Sequence, residues 1–216
     1  MKKTPYIVAL LCAGASLASA AVFYTPVSIT STNSAAYFPI ARLHSGPGVG
    51  YSAAAPHDGI PGDTWVTDAP GGFPSDYIAV AGAPILVIDL GSNFFLSEIS
   101  TWGYTTGNAN GVSAFSLRFA TAAEGPGGFG TSIPGQGGFS ALLSDITRDS
   151  HPLSPVTARW VEFTATDNYY SNGGFGPPPG GDRVGLGEIA FAVIPEPSTA
   201  LLGGVALFGF LRRRRA

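Results

Sequence analysis

Cysteine and lysine are almost missing from this sequence of 216 residues. Cys12 is the only cysteine, and Lys2 and Lys3 are the only lysines. All three lie in a segment that begins Met1-Lys2-Lys3, continues through the apolar stretch Tyr6 to Ala15 and reaches Ala18-Ser19-Ala20. A positive start, a short apolar run and small residues before Ala21 form a secretory leader, with signal peptidase cutting between Ala20 and Ala21, so that residues 1–20 are removed. Lipidation at Cys12 is discounted, because Leu11 stands where a small residue is needed and a cut there would leave too short an apolar segment. Export leaves a chain with no thiol, so its folded part rests on an apolar core or a bound metal in place of disulfides. Missing lysines exclude Walker-type phosphate loops, Schiff-base chemistry and Ser-Lys dyads, and the missing thiol excludes cysteine nucleophiles.

Arginine is also scarce where it would matter for an anionic partner. Arg212, Arg213, Arg214 and Arg215 stand at the C-terminus, so residues 21–193 keep five arginines against thirteen carboxylates, a formal charge of about −8 that the whole-chain value of −3 conceals. This field excludes nucleic acid as a partner, disfavours anionic polysaccharides and admits divalent cations or neutral glycans. His44, His57 and His151 are far apart in sequence, with no i, i+4 pair to suggest a zinc site.

What the chain does possess is a patterned C-terminus. Val193-Ile194 is followed by Pro195-Glu196-Pro197-Ser198-Thr199, an apolar run from Ala200 to Leu211, and the four arginines. Two prolines around one glutamate continue neither a helix nor a strand, which predicts an extended segment that an enzyme groove can grip. As a helix, Ser198 to Leu211 would span roughly 21 Å at about 1.5 Å per residue, against a hydrocarbon core of roughly 30 Å. Arginines snorkelling to the headgroups lengthen such an anchor, and the preference of positive charge for the cytoplasmic side puts the Pro-Glu-Pro segment outside. The alternative is a helix packed on the domain through Leu201, Leu202, Val205, Phe208 and Leu211. Gly203, Gly204 and Gly209 oppose it, each costing about 1 kcal/mol relative to alanine in water.

These residues, 194–216, resemble the PEP-CTERM sorting signal found on exported proteins of Gram-negative bacteria that make exopolysaccharide. The resemblance implies recognition of Pro195, Glu196, Pro197 and Ser198 by exosortase, a membrane-embedded cysteine protease-transpeptidase. It also implies a precursor held transiently in the inner membrane by the apolar helix and its arginines, then cleaved near the motif and delivered to the outer surface or extracellular matrix.

Between the two ends, 21–193 is long enough for one domain that buries roughly 70% of its unfolded surface. Glycine and proline, 30 and 18 of 216 residues, gather at Gly125 to Gly138 and Asn172 to Gly181, which read as loops. Strands are predicted at Ile85 to Leu90, Phe94 to Tyr104, Ser113 to Thr121, Arg159 to Thr166 and Gly187 to Val193. Phe115, Leu117 and Phe119 share one face, as do Val161 with Phe163, and Ile189 with Phe191 and Val193. No long amphipathic helix and no fixed-period repeat is evident. The fold class is all-β, two packed antiparallel sheets.

Several strand-like motifs carry a second resemblance. Asp58-Gly59 with Thr64-Trp65-Val66-Thr67, Pro84 to Gly91, Ala158 to Thr164, and Gly185-Leu186-Gly187-Glu188-Ile189-Ala190-Phe191 look like the discoidin, or F5/8 type C, superfamily. That superfamily is a galactose-binding-like jelly roll, and the resemblance covers roughly residues 50 to 193. It implies a structural Ca²⁺ held by the loop Asp58 to Thr64, including Asp63, together with Glu188, because Ca²⁺ gathers several hard oxygens. Asp63 stands where a threonine is usual, Thr64 is one place late and Ile60 replaces a common asparagine. The alternative for Asp58 is a turn beside Gly59, accepting backbone hydrogen bonds.

Trp65, Trp102 and Trp160 fit core packing or, alternatively, a sugar-stacking platform. Loop aromatics Tyr51, Tyr169, Tyr170 and Phe175 are the candidate ligand contacts. No catalytic residue is assigned. The expectation is a secreted, exosortase-processed, non-catalytic surface or matrix protein associated with exopolysaccharide or biofilm. Two alternatives stand beside it: a lectin-like module with Ca²⁺-supported loops binding an extracellular glycan, and a polysaccharide hydrolase using paired carboxylates.

Overall fold

A computed structural model of the chain describes residues 22–44 and 64–194. The secretory leader, the segment carrying Tyr51, Asp58 and Asp63, and the sorting motif with its arginines lie outside the described residues. The strands are β1 (Val22–Tyr24), β2 (Ser28–Ser31), β3 (Trp65–Val66), β4 (Ile85–Gly103), β5 (Val112–Ala120), β6 (Gln136–Ser140), β7 (Asp149–Asn168) and β8 (Gly185–Val193). Every ladder between them is antiparallel. Among the described residues the one α-helix, α1 (Tyr77–Ala81), is short and is capped by Asp76, whose carboxylate accepts from the amides of Ile78 and Ala79; Ile40–His44 and Asn172–Gly174 are 3-10 turns. No helix among the described residues is long and apolar enough to cross a membrane.

Two long strands build the jelly-roll sandwich by serving both of its layers. The first half of β4 lies between β2 and the second half of β7, which continues to β5 and β6. After a register shift between Asp89 and Phe94, the second half of β4 pairs with the first half of β7 and with β8, beyond which come β1 and β3. Strands that change sheet through a bulge are how orthogonally packed sheets turn a corner. The corner therefore lies near β1 and the end of β8, where Val22 faces Val193. At the opposite end gather the start of β8, both outer ends of β4 and β7, and the loops between them.

The predicted alternation holds in β5, where Ser116 and Arg118 lie outside the core, but not in β8, which is buried on both faces, nor at Glu162, which is buried beside Val161 and Phe163. Phe115, Leu117, Phe119, Val161 and Phe163 are buried, and the Phe115 ring stacks on Phe163 at 4.5 Å and on Phe139 at 5.0 Å. From the other layer come Leu96, Ile99, Leu186, Ile189 and Phe191. Trp65 and Trp102 are fully buried, so both pack rather than form a platform, and the Trp65 indole donates to Ser34 Oγ at 2.7 Å.

Three predicted boundaries need correction. Ile85 to Leu90 and Phe94 to Tyr104 are one strand, because the chain turns the corner without leaving the ladder. The glycine-rich stretch Gly125 to Gly138 is not all loop, since Gln136, Gly137 and Gly138 open β6. β7 begins at Asp149, ten residues before the predicted start at Arg159, despite Pro152 and Pro155. Its first half is an edge, where proline is tolerated, and the Gln136 side chain clips that edge by donating to Ser154 O and accepting from Ser154 N, both at 2.9 Å.

An ion pair secures the corner. Asp89 accepts from Arg159 at 2.9 and 3.0 Å and from the Gly91 amide at 2.7 Å. The Arg159 hydrogen bond, above all, holds the Asp89 carboxyl below the ordinary carboxylate value. A carboxyl of lowered folded pKa contributes stability above the unfolded value of about 3.9 and loses it as pH falls through the folded value. Asp89→Asn is therefore expected to lower Tm by a few degrees at neutral pH and to flatten the acid limb of Tm against pH below about pH 4. Melting curves across that range check it, and an acid limb identical to the parent's would show that this pair does not carry the effect.

Candidate functional site

The loop end of the sandwich is organised by two buried asparagines. Asn110 follows β4 and Asn168 ends β7, and each reaches across to the loop that leads into β8. Asn110 Oδ1 accepts the amides of Gly181 at 2.6 Å and Arg183 at 3.3 Å. Asn168 Nδ2 donates to the carbonyls of Gly181 at 2.8 Å and Arg183 at 3.1 Å, while its Oδ1 accepts the Tyr170 amide at 3.0 Å. The Gly181 carbonyl also accepts from Tyr77 N at 2.9 Å, which ties α1 to the same point. Gly181 has φ of +100°, and a β-carbon there would approach Tyr170 Cβ to 2.6 Å, so the pinned position demands glycine.

The pinned loop presents one exposed aromatic. Phe175 is 64% exposed and meets Phe73, 53% exposed, edge to face with ring centroids 5.1 Å apart. Phe73 comes from the loop before α1, and the two loops touch where Gly174 lies against Pro74. Asp68 and Asp182 flank the two loops, and Arg183 donates to Thr67 O at 2.9 Å. The result is a rigidly backed apolar edge with hydrogen-bonding groups around it, the composition of a shallow ligand site.

The other loop candidates serve the framework. Tyr169 is half-buried and its hydroxyl donates to Ala141 O; burial, with Asp149 nearby, raises its phenol above the ordinary pKa. Tyr170 is half-buried against Gly174 and Gly181. Trp160 is half-buried on the outer sheet face, with the Arg159 guanidinium 4.8 Å from its ring centre. Tyr51 lies outside the described residues.

Of the calcium candidates, Asp58 and Asp63 also lie outside them. Thr64 and Glu188 are both buried, and the Trp65 to Leu186 pairing brings Thr64 beside β8 near Glu188. Thr64 also hydrogen-bonds the phenol of Tyr104. Among the described residues no group of three His, Cys, Asp or Glu side chains is placed to hold a metal ion. His151 is buried, 3.2 Å from Thr101 Oγ1 and edge-on to Phe115, and burial lowers its pKa below the ordinary value.

Phe73, Asn110 and Asn168 did not stand out in the sequence. For Phe73 the signal was available, since Gly71-Gly72-Phe73-Pro74 repeats the glycine-proline setting of Phe175. The asparagines carry no local signal, because their partners are supplied by the tertiary fold.

At the other end, β8 runs directly into the tail. Residues 193–215 are a PEP-CTERM protein-sorting motif. The PEP-CTERM motif implies export and a membrane-anchored precursor processed by exosortase. No curated protein matches the chain. Among solved structures, a truncated AlyQ with CBM32 and alginate lyase domains is similar at a TM-score of 0.50 and 16% identity, over 82% of this chain and 35% of that one. The family 32 CBM of C. perfringens NanJ, in complex with galactose, gives 0.47 and 12%, over 76% and 92%. A Streptococcus pneumoniae fucose binding module, SpX-3, gives 0.47 and 12%, over 79% and 96%. At these identities the likeness is one of fold.

Proposed function

We propose that this PEP-CTERM protein is a non-catalytic surface or matrix component that binds a neutral glycan through the Phe73 and Phe175 edge. The observation that carries the reading is that exposed aromatic pair on a loop framework locked by buried hydrogen bonds. Aromatic faces stack on the apolar faces of sugar rings, and rings held rigid lose little entropy when a ligand arrives. The negative field of the domain favours an uncharged glycan over an acidic one. The sandwich shared with a CBM32-containing protein supports the reading at the level of fold. Delivery to the cell surface or matrix puts such a site among polysaccharides, including exopolysaccharide.

The test is binding to a panel of neutral and acidic polysaccharides, by glycan array and calorimetry. The double variant F73A/F175A is expected to weaken binding roughly 10- to 100-fold through lost apolar contact. Its Tm should stay close to the parent's, because both rings are more than half exposed. Binding retained in full by that variant, or absent across the panel for the parent, would overturn the assignment. Conversion of any polysaccharide to smaller products would favour the hydrolase reading instead.

A further inference from the structure

The tail leaves from an end of the sandwich that bears exposed apolar side chains of its own. Ile194, the first residue past β8, is 37% exposed. Its amide donates at 2.9 Å to the carbonyl of Phe95, which is 39% exposed. Val27, 58% exposed, packs over Gly91 at the same corner of β4. Apolar side chains scattered singly over a surface need no explanation. These three share the end from which the membrane anchor departs.

Charge is distributed in the complementary sense. Asp68, Asp76, Asp145, Asp149, Asp167 and Asp182 sit on the loops and strand ends of the far side. The tail end carries fewer: Asp89 is bound by Arg159, Glu98, opposite Ala192 on β4, accepts from Ser100 Oγ at 2.8 Å, and Glu124 lies on the turn after β5. An anionic bilayer surface repels carboxylates and accepts apolar side chains at headgroup level.

The chain length makes the approach compulsory. In the sequence five residues, 195–199, separate Ile194 from Ala200, where the apolar run begins. Six backbone steps reach at most roughly 20 Å, and the headgroup layer occupies roughly 5–8 Å on each side of the hydrocarbon. While the tail is inserted, this end of the domain therefore stays close to the lipid.

We propose that in the anchored precursor the domain stands on the membrane by this end, with Val27, Phe95 and Ile194 seated among the lipid headgroups. Phe73 and Phe175 then face away from the bilayer, so the outward edge is accessible before exosortase acts. The proposal rests on the anchoring that the PEP-CTERM motif implies, and its test separates the two.

Cysteine scarcity makes the test direct. The leaderless precursor, residues 21–216, has no cysteine of its own and receives one at a time, V27C, F95C or F175C, each labelled with an environment-sensitive dye. It is reconstituted into phosphatidylethanolamine and phosphatidylglycerol vesicles that contain nitroxide-headgroup lipid. Flotation with the vesicles reports anchoring, and melting curves report folding. The expected result is loss of fluorescence at positions 27 and 95 with none at 175. Flotation without that loss, or equal loss at 175, would overturn the seating while leaving the anchor intact. Failure to float would remove the anchor and the seating together. Quenching at 27 and 95 that needs co-reconstituted exosortase would assign the surface to the enzyme instead, and also overturns the proposal.

Discussion

Replacing Pro195, Glu196 and Pro197 with alanine is expected to abolish processing and leave the full precursor in the inner membrane. The effect is all or none because it removes the recognised element itself. Alanines in place of both prolines restore backbone amides and free φ, so the segment joins the following apolar run in helix formation in place of staying extended. Loss of Glu196 removes the one carboxylate between β8 and the four terminal arginines. The folded domain should be untouched, since β8 ends at Val193 and its last described contact is the Ile194 amide. Membrane fractionation with mass spectrometry of the C-terminus measures it directly. The parent should lose the tail mass and leave the inner membrane, and the variant should do neither. Normal cleavage of the variant would show that processing does not depend on this motif and would overturn the sorting assignment.

That motif was legible because it is local: its chemistry lies in consecutive residues and requires no partner from the rest of the fold. The same holds for Phe115, Leu117 and Phe119, whose alternation alone assigns them to the core. Legibility failed where a residue's role depends on what lies across from it. Residues 149–158 contain two prolines, which argue against a strand, yet they form the edge of a layer where a missing amide costs nothing and Gln136 supplies the pairing. Glu188 and Ala190 stand on the opposite face of β8 from Ile189 and Phe191 but are buried as well, so alternation of burial is absent from that strand. At the loop end, Phe175 was recognisable as an aromatic among glycines and prolines. Tyr169 looked equivalent in sequence, and only the acceptor at Ala141 distinguishes a framework phenol from an exposed ring.

Asn168 is where fold and candidate site meet, and Asn168→Ala should be the most damaging single change at the loop end. It leaves the carbonyls of buried Gly181 and half-buried Arg183 without this donor and the Tyr170 amide without its acceptor. The Gly181 carbonyl keeps the Tyr77 amide, so two groups lose their partner, and at about 1–3 kcal/mol each the loss is on the order of 2–4 kcal/mol. For a domain of this size that corresponds to a fall in Tm of roughly 10 °C. The direction of each bond provides a sharper test than the magnitude. Asn168→Asp keeps the acceptor for Tyr170 but turns a second carboxylate oxygen toward two carbonyls, so it should not rescue stability. Asn110 only accepts from Gly181 and Arg183 in this cluster, so Asn110→Asp preserves both bonds and should cost less than Asn168→Asp. Equal losses for the two aspartate variants would contradict the assigned bond directions. Because the same carbonyl of Gly181 receives the amide of Tyr77, Asn168→Ala should also free α1 and the Phe73 loop from the Phe175 loop. Glycan binding should then fall together with Tm, whereas F73A/F175A loses binding alone, and that divergence separates the framework from the surface it holds.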